Sequence, residues 1–233
     1  MRFFGLRPQN DNELKNMNNS KPIVVGITGA SGSIYGLRLV RALTELGQPI
    51  TLTISHAAGL VIKEELGIDI DVEDSSCLPK LFDQQTCGLV SYYPEHEMTA
   101  PIASGSYPTK GMIVVPASTT CFAKIANGVS ESLIERAAEC MIKEGRKLVV
   151  VPRETPLSAI HLENLLKLAR LGVRVVPAIP AFYSGAQKIE ELVDFVVGKV
   201  LDQFEIPHTL YRRWTGSETE VKIEEEQWQK GSL

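Results

Sequence analysis

The sequence has no C-x-x-C pair among its four cysteines, Cys77, Cys87, Cys121 and Cys140, and its four histidines are scattered rather than set at metal-ligand spacing. A zinc module or a disulfide framework is therefore not expected, and free thiols in a reducing cytosol are the plain reading. No apolar run approaches the length that spans a bilayer, and the opening MRFFGLRPQNDNELK turns polar too early to hold the hydrophobic region of a signal peptide. Basic excess is missing too. A net charge of −4 supplies no broad positive field for a nucleic-acid backbone, although a local cluster can still hold a phosphate ester. These absences point to a cytoplasmic protein with no nucleic-acid or membrane partner.

What remains is ordinary globular material. The 233 residues, 44% of them hydrophobic, suit one domain with a full core. Residues 1–20 are rich in Asn, Lys and Arg without periodicity and read as a disordered leader, with Met17 as an alternative start. Residues 217–233 read as a solvated, charged tail. Between them, 21–216 form one continuous fold without a linker or an internal repeat.

Near-continuous apolar, β-rich runs recur at Ile23 to Thr28, Pro49 to Ser55, Gly111 to Ala117, Lys147 to Pro152 and Val173 to Ala178, as expected of strands buried on both faces. Helical stripes lie between them. Ile34, Leu37, Val40, Leu43 and Leu46 mark one, and Leu133, Ile134, Ala137, Ala138, Met141 and Ile142 mark another. Strand alternating with helix predicts right-handed crossovers and a parallel sheet with helices on both faces, a Rossmann-like or flavodoxin-like α/β domain. Ligands of such sheets bind beyond the carboxyl ends of the strands.

Each strand delivers a polar or glycine-rich segment to that edge: TGASGS, SHA, PASTT and PRETP in turn. The first belongs to GITGASGSIYG, whose glycines at 26, 29, 32 and 36 fit neither the dinucleotide fingerprint nor the lysine-bearing phosphate loop. Its amides at a helix N-terminus can bind phosphate, and Ser55, Ser118, Thr119 and Thr120 can hydrogen-bond phosphate or a polar heterocycle. Ser31, Ser33 and Ser118 read equally as helix caps. Arg153 and Glu154, at the exit of KLVVVP and just before Thr155 and Pro156, offer a phosphate fork and a proton carrier, or an ion pair that only locks the loop. His161 and Glu163 fit an ordinary amphipathic helix better than a catalytic dyad.

Taken together, GITGASGSIYGLRL, PIASGSYPTKGMIVVPASTT, LIERAAECMIKEGRKLVVVPRETPLSAIHLENLLKL, PAFY and the late RRW resemble the UbiX/Pad family of flavin prenyltransferases over about residues 22–216. The resemblance implies transfer of a dimethylallyl group from dimethylallyl phosphate to N5 and C6 of reduced FMN, giving the prenylated FMN that a UbiD-type decarboxylase uses. It implies a homo-oligomer, dodecameric in the family. By similarity, Gly29, Ala30, Ser31, Ser55, Ser118, Thr119, Thr120, Cys121, Arg136 and Arg153 contact FMN. The prenyl-phosphate site falls on Lys143, Arg153, Glu154, Tyr183 and Lys199. Glu154, Ser31, Lys143, Glu65 and Trp214 carry over as the catalytic set, Glu65 as the acid near the flavin and Trp214 as the aromatic that helps close the site. Lys199 stands where many relatives have Arg, which keeps the charge and loses the bidentate fork.

The implied chemistry suits these residue types. Ionising an allylic phosphate makes a cation, which calls for positive groups on the departing phosphate and a π-rich, water-poor space for the carbon fragment. Lys143, Arg153 and Lys199 meet the first need, and Tyr183 and Trp214 the second. No D-D-x-x-D-like cluster is present to hold Mg²⁺, so a monophosphate donor and no metal are expected. Two other readings stand beside this one. A flavin-dependent cysteine decarboxylase shares the P-A-S start of PASTT, but it places a histidine where this chain has PIASGS. A non-catalytic flavin carrier leaves Glu154 and Lys143 without a role.

Overall fold

The computed structural model describes residues 21–214. The expected leader at 1–20 and tail at 217–233 lie outside the described residues. Six strands, β1 (Ile23–Ile27), β2 (Ile50–Ile54), β3 (Val90–Tyr92), β4 (Gly111–Ala117), β5 (Leu148–Pro152) and β6 (Arg174–Val175), form one sheet in the order β3-β2-β1-β4-β5-β6. Every pairing is parallel, with Ile23 beside Ile50 on one side and beside Gly111 on the other. This 3-2-1-4-5-6 order is that of the six-stranded dinucleotide-binding sheet, and without the three-residue edge strand β3 it is the 2-1-3-4-5 order of flavodoxin, so the expected Rossmann-like or flavodoxin-like α/β domain holds.

The run at Val173 to Ala178 forms only the two-residue edge strand β6, and β3 has no counterpart among the runs singled out above. Period-2 alternation explains the two cores. Ile23, Val25 and Ile27 join Ile113, Val115, Val149 and Val151 on one face, and Val24 joins Met112, Val114, Leu148 and Val150 on the other. The first face is covered by α1 (Ser33–Glu45), α2 (His56–Leu66) and α6 (Ile189–Gln203), the second by α3 (Thr119–Asn127), α4 (Leu133–Lys143) and α5 (Ala159–Arg170). With about 0.8 kcal/mol per buried CH₂, these two layers carry the fold's driving force.

The chain leaves β1 toward one face and β4 toward the other. The strand order therefore reverses between them, and a crevice opens at their carboxyl ends. Thr28 bridges its floor: its hydroxyl donates to the Pro116 carbonyl at 2.8 Å and accepts from the Ser118 N–H at 2.8 Å.

Candidate active site

A cavity of 460 Å³ occupies this crevice, within the range of about 300–1,000 Å³ usual for small-molecule sites. Its walls include Gly29, Ala30 and Ser31 after β1, Ser55 after β2, Ser118 to Cys121 after β4, and Arg153 with Glu154 after β5. Four strand ends thus meet at one site, as their polar exits predict.

Gly29 fits because it has no side chain. A Cβ there would lie 2.5 Å from the Cβ of Ala57, so the loop could not rest against the start of α2. The next turn corrects the expectation that the glycine loop's helix amides are open to phosphate. The Gly32 and Ser33 N–H groups donate to the Glu65 carboxylate at 2.7 and 2.9 Å, and the Ser33 hydroxyl donates to it at 2.7 Å. Burial opposes the charge on Glu65, but hydrogen bonds from Ser31, Ser33 and Gly32 outweigh it and hold the carboxyl below the usual glutamate range. The α1 N-terminus is already occupied by an anion from α2. Ser31 and Ser33 do not cap it: the N-cap is Gly32, which has no side chain to accept a hydrogen bond.

The α3 N-terminus is different. Ser118 does cap it, accepting from the Cys121 N–H at 3.2 Å, so the cap reading and the cavity reading are both correct for this residue. Ser55 caps α2 in the same way at 3.1 Å from the Ala58 N–H. Thr119 and Thr120 line the cavity, and their N–H groups, in the first turn of α3, have no acceptor among the described residues, which leaves a helix end ready for negative charge. Beside them, the Arg153 Nε donates to the Ser31 carbonyl at 2.9 Å, and the rest of its guanidinium has no acceptor among the described residues. Arg153 and Glu154 do not pair; Glu154 accepts from the Thr155 N–H at 2.9 Å. The loop-locking alternative is not what this pair does. Burial, and the nearby Glu135, push the Cys121 thiol up to about 12, which disfavours the thiolate.

Glu95, Lys124, Ser132, Ile134 and Glu135 also line the cavity and were not singled out from sequence. Lys124 lies four residues beyond Thr120 on α3, one turn along the same face, a spacing that could have flagged it. S-x-x-E at 132–135 is a helix-start signature, and Glu135 does accept from the Ser132 N–H at 2.9 Å. Glu95 carries no local signal. It reaches the site because its carboxylate accepts from the His56 N–H at 2.7 Å and its carbonyl from the Leu133 N–H at 2.7 Å. Lys124 is committed to Glu131 at 2.7 Å and Glu135 at 3.3 Å. His161 serves as a cap partner of Ser158 and takes no part in the cavity.

The remaining expected residues lie outside this chain's cavity. Glu65 stands behind the glycine loop. Arg136 donates to the Ala103 carbonyl at 3.0 Å and to Glu139 at 2.8 Å, and Lys143 ends α4 at the opposite edge of the sheet. Tyr183 and Trp214 meet edge-on at 6.1 Å, 54% and 68% exposed, and Lys199 sits over the Tyr211 ring at 5.9 Å on α6. Among the described residues, no three His, Cys, Asp or Glu side chains are grouped to hold a metal ion, and no helix is long and apolar enough to cross a membrane.

The chain is similar to known proteins in sequence and in fold. The sequence profile of the flavoprotein family matches residues 11–201. Flavin prenyltransferase UbiX of Halalkalibacterium halodurans is 49% identical over 82% of this chain and 91% of its own length. Among solved structures, AnUbiX (PadA1) in complex with FMN and dimethylallyl pyrophosphate is 40% identical, with a TM-score of 0.75 over 85% of this chain and 99% of that one. A dodecameric FMN-dependent UbiX-like decarboxylase from Escherichia coli O157:H7 is 41% identical, with a TM-score of 0.73 over 84% of this chain and 100% of that one.

Proposed function

The chain belongs to the flavoprotein family and, within it, to the UbiX-type flavin prenyltransferases, and from that membership we propose that it transfers a dimethylallyl group from dimethylallyl phosphate to reduced FMN. The observation that carries the reading is the convergence of two free α3 amides, an open Arg153 fork and Glu154 on one switch-point cavity. Reduced flavin, when bound, supplies the electron-rich N5 and C6 that take up the allyl group. The chain's own residues bind, orient and move protons.

Thr119 and Thr120 N–H groups with the Arg153 guanidinium suit a phosphate ester, because donors and a fixed cation on a helix end need no rearrangement to meet it. Gly29 and Ala30 give the ring system a flat wall without side-chain bulk. Glu154, anchored by one oxygen to Thr155 N–H, has the other for a proton, so it can receive the one lost when the second ring bond closes or pass one to the departing phosphate. In the overall change the allylic C–O bond would break with its electron pair leaving on phosphate, and of the two protons lost at N5 and C6 one would go to the allyl chain, whose double bond is consumed in the second ring bond, and the other to phosphate, with Glu154 placed to carry them.

One chain does not supply enough positive charge for two phosphate groups. Of the two cations lining the cavity, Lys124 is held by two glutamates, which leaves Arg153. We therefore assign Arg136 and Lys143, and the donor-site residues Tyr183, Lys199 and Trp214, to sites completed by neighbouring subunits of a homo-oligomer. A UbiD-type decarboxylase in the cytoplasm is the proposed recipient of the prenylated FMN. The test is anaerobic incubation with reduced FMN and either dimethylallyl phosphate or the pyrophosphate, with and without EDTA, followed by flavin mass analysis. A flavin heavier by one dimethylallyl unit with the monophosphate and EDTA is the expected result. Release of CO₂ from a peptidyl cysteine, with FMN unchanged, would replace this reading with the decarboxylase one.

A further inference from the structure

A cluster around Asp202, near the end of α6, takes no part in the chemistry derived above. Its carboxylate accepts from the Tyr211 hydroxyl at 2.6 Å and from Arg213 through both terminal nitrogens, at 2.6 and 3.3 Å. His208 Nε2 stands 3.1 Å from the same carboxylate. The Leu210 N–H donates to His208 Nδ1 at 3.2 Å, which assigns the ring proton to Nε2, between Asp202 Oδ1 at 3.1 Å and Arg213 Nη2 at 3.2 Å. Lys199, one turn back on the helix, has its ammonium 3.7 Å from Asp202 Oδ2. Three successive donors from segment 208–213 and one cation from α6 thus close on one carboxylate.

The helix is shaped for this contact. A Cβ at Gly198 would come within 2.5 Å of the Tyr211 ring and 2.7 Å of His208, so only glycine lets the segment lie flat on α6. The consequence appears at the next residue. Trp214 follows Arg213 directly, and a file of rings runs from Trp214 to Tyr183 at 6.1 Å, to Phe195 at 5.9 Å and to Tyr211 at 5.0 Å. Trp214 is two-thirds exposed in the single chain, at the end of this file. Its position is set by the anchor one residue earlier.

We infer that Asp202 is the positioning residue of the donor half of the site: it clamps the 208–213 segment to α6 so that Trp214 is held against Tyr183, and it fixes the ammonium of Lys199. The inference rests on the proposed prenyl-transfer reading, in which Tyr183, Lys199 and Trp214 receive the dimethylallyl phosphate. Asp202 touches neither flavin nor donor and acts through those three. The geometry also gives the lysine at 199 a partner. An ammonium has no planar fork of its own, and a carboxylate one turn away with an aromatic face above it limits the directions it can take.

The test uses the full chain in a Trp228→Phe background, so that emission reports Trp214 alone. Asp202→Asn keeps the shape and removes the charge and the bidentate acceptor. The expected result is red-shifted Trp214 emission with easier acrylamide quenching, and a rise of about tenfold or more in KM for dimethylallyl phosphate, with the flavin dissociation constant changed less than about twofold. Tyr211→Phe and Arg213→Gln each remove one donor and should move both readouts in the same direction by less, which keeps the test decisive if Asp202→Asn does not fold. Unchanged emission and KM in a folded Asp202→Asn, or in both single-donor variants, would overturn the inference. Parallel loss of flavin binding would overturn it as well, since that marks a merely structural residue. If the parent protein makes no prenylated flavin, the prenyl-transfer reading fails on its own, while Trp214 emission still reports whether the clamp exists.

Discussion

Two glutamates show how differently one side chain can serve the same crevice. Glu154 is tethered by a single hydrogen bond at the cavity wall, so Glu154→Gln should keep FMN binding and lower the prenylation rate by about 10² or more, the loss typical of a positioned proton carrier. Normal turnover of the variant would reduce Glu154 to a loop residue. Glu65 does not line the cavity and holds the α1 N-terminus through three hydrogen bonds. Its carboxyl is depressed in the folded protein, because those bonds outweigh the cost of burial. Its stabilisation is therefore present above the unfolded glutamate value, about 4.3, and is lost as pH falls through the lower folded value. Glu65→Gln should cost about 1 kcal/mol or less at pH 7, since the group is exposed, and the gap from the parent in urea unfolding should narrow as pH falls through the lowered folded value. A gap that persists or widens in acid would contradict the assignment.

The elements that bear the site are held in place by a few buried polar ties, and Thr28 is the one that joins the two strands at the reversal point. Thr28→Val keeps the volume but leaves the Ser118 N–H without its acceptor at a residue 4% exposed, while the Pro116 carbonyl keeps only the Thr28 N–H at 3.2 Å. A loss of about 1–3 kcal/mol in urea unfolding is expected, together with weaker FMN binding, because Ser118 sets the direction of α3 and its free amides. Thr28→Ser, which keeps the hydroxyl, should recover most of the affinity.

How much of this scale was legible in the sequence follows from the reach of each signal. The central strands are buried on both faces and at least five residues long, so their runs stand out; β3, three residues at a partly exposed edge, does not. The strand exits told where the site is. They did not tell that the α1 amides are filled, because the anion that fills them comes from α2, 32 residues further along the chain. Nor did they announce Glu95, which reaches the cavity only through bonds from two other helices. Local patterns reveal an element's ends, whereas the occupant of an end depends on contacts that spacing does not encode.

At the scale of the whole molecule, a single chain holds only part of the expected site. Arg136 and Lys143 lie seven residues apart on α4, hence on one stripe, and Lys143 stands at the edge of the sheet opposite the cavity. Arg153 lies beyond the far end of β5, whose five residues at roughly 3.3 Å each set the two about 17 Å apart, too far for both to grip one small phosphate. The surface offers material for subunit contacts: Ile160, Leu162 and Leu166 on α5 and Ile179 and Phe182 after β6 are at least half exposed. If both cations serve one ligand, they belong to different subunits, and Lys143→Ala and Arg153→Ala should each abolish activity alone while damaging different halves of the interface. Co-expressed, the two variants should form mixed oligomers in which some sites carry both intact residues, and part of the activity should return. The recovery should track the fraction of mixed interfaces seen by native mass spectrometry. A monomer in solution, or mixed oligomers without any recovery, would return both residues to a single chain and leave the distance between them unexplained.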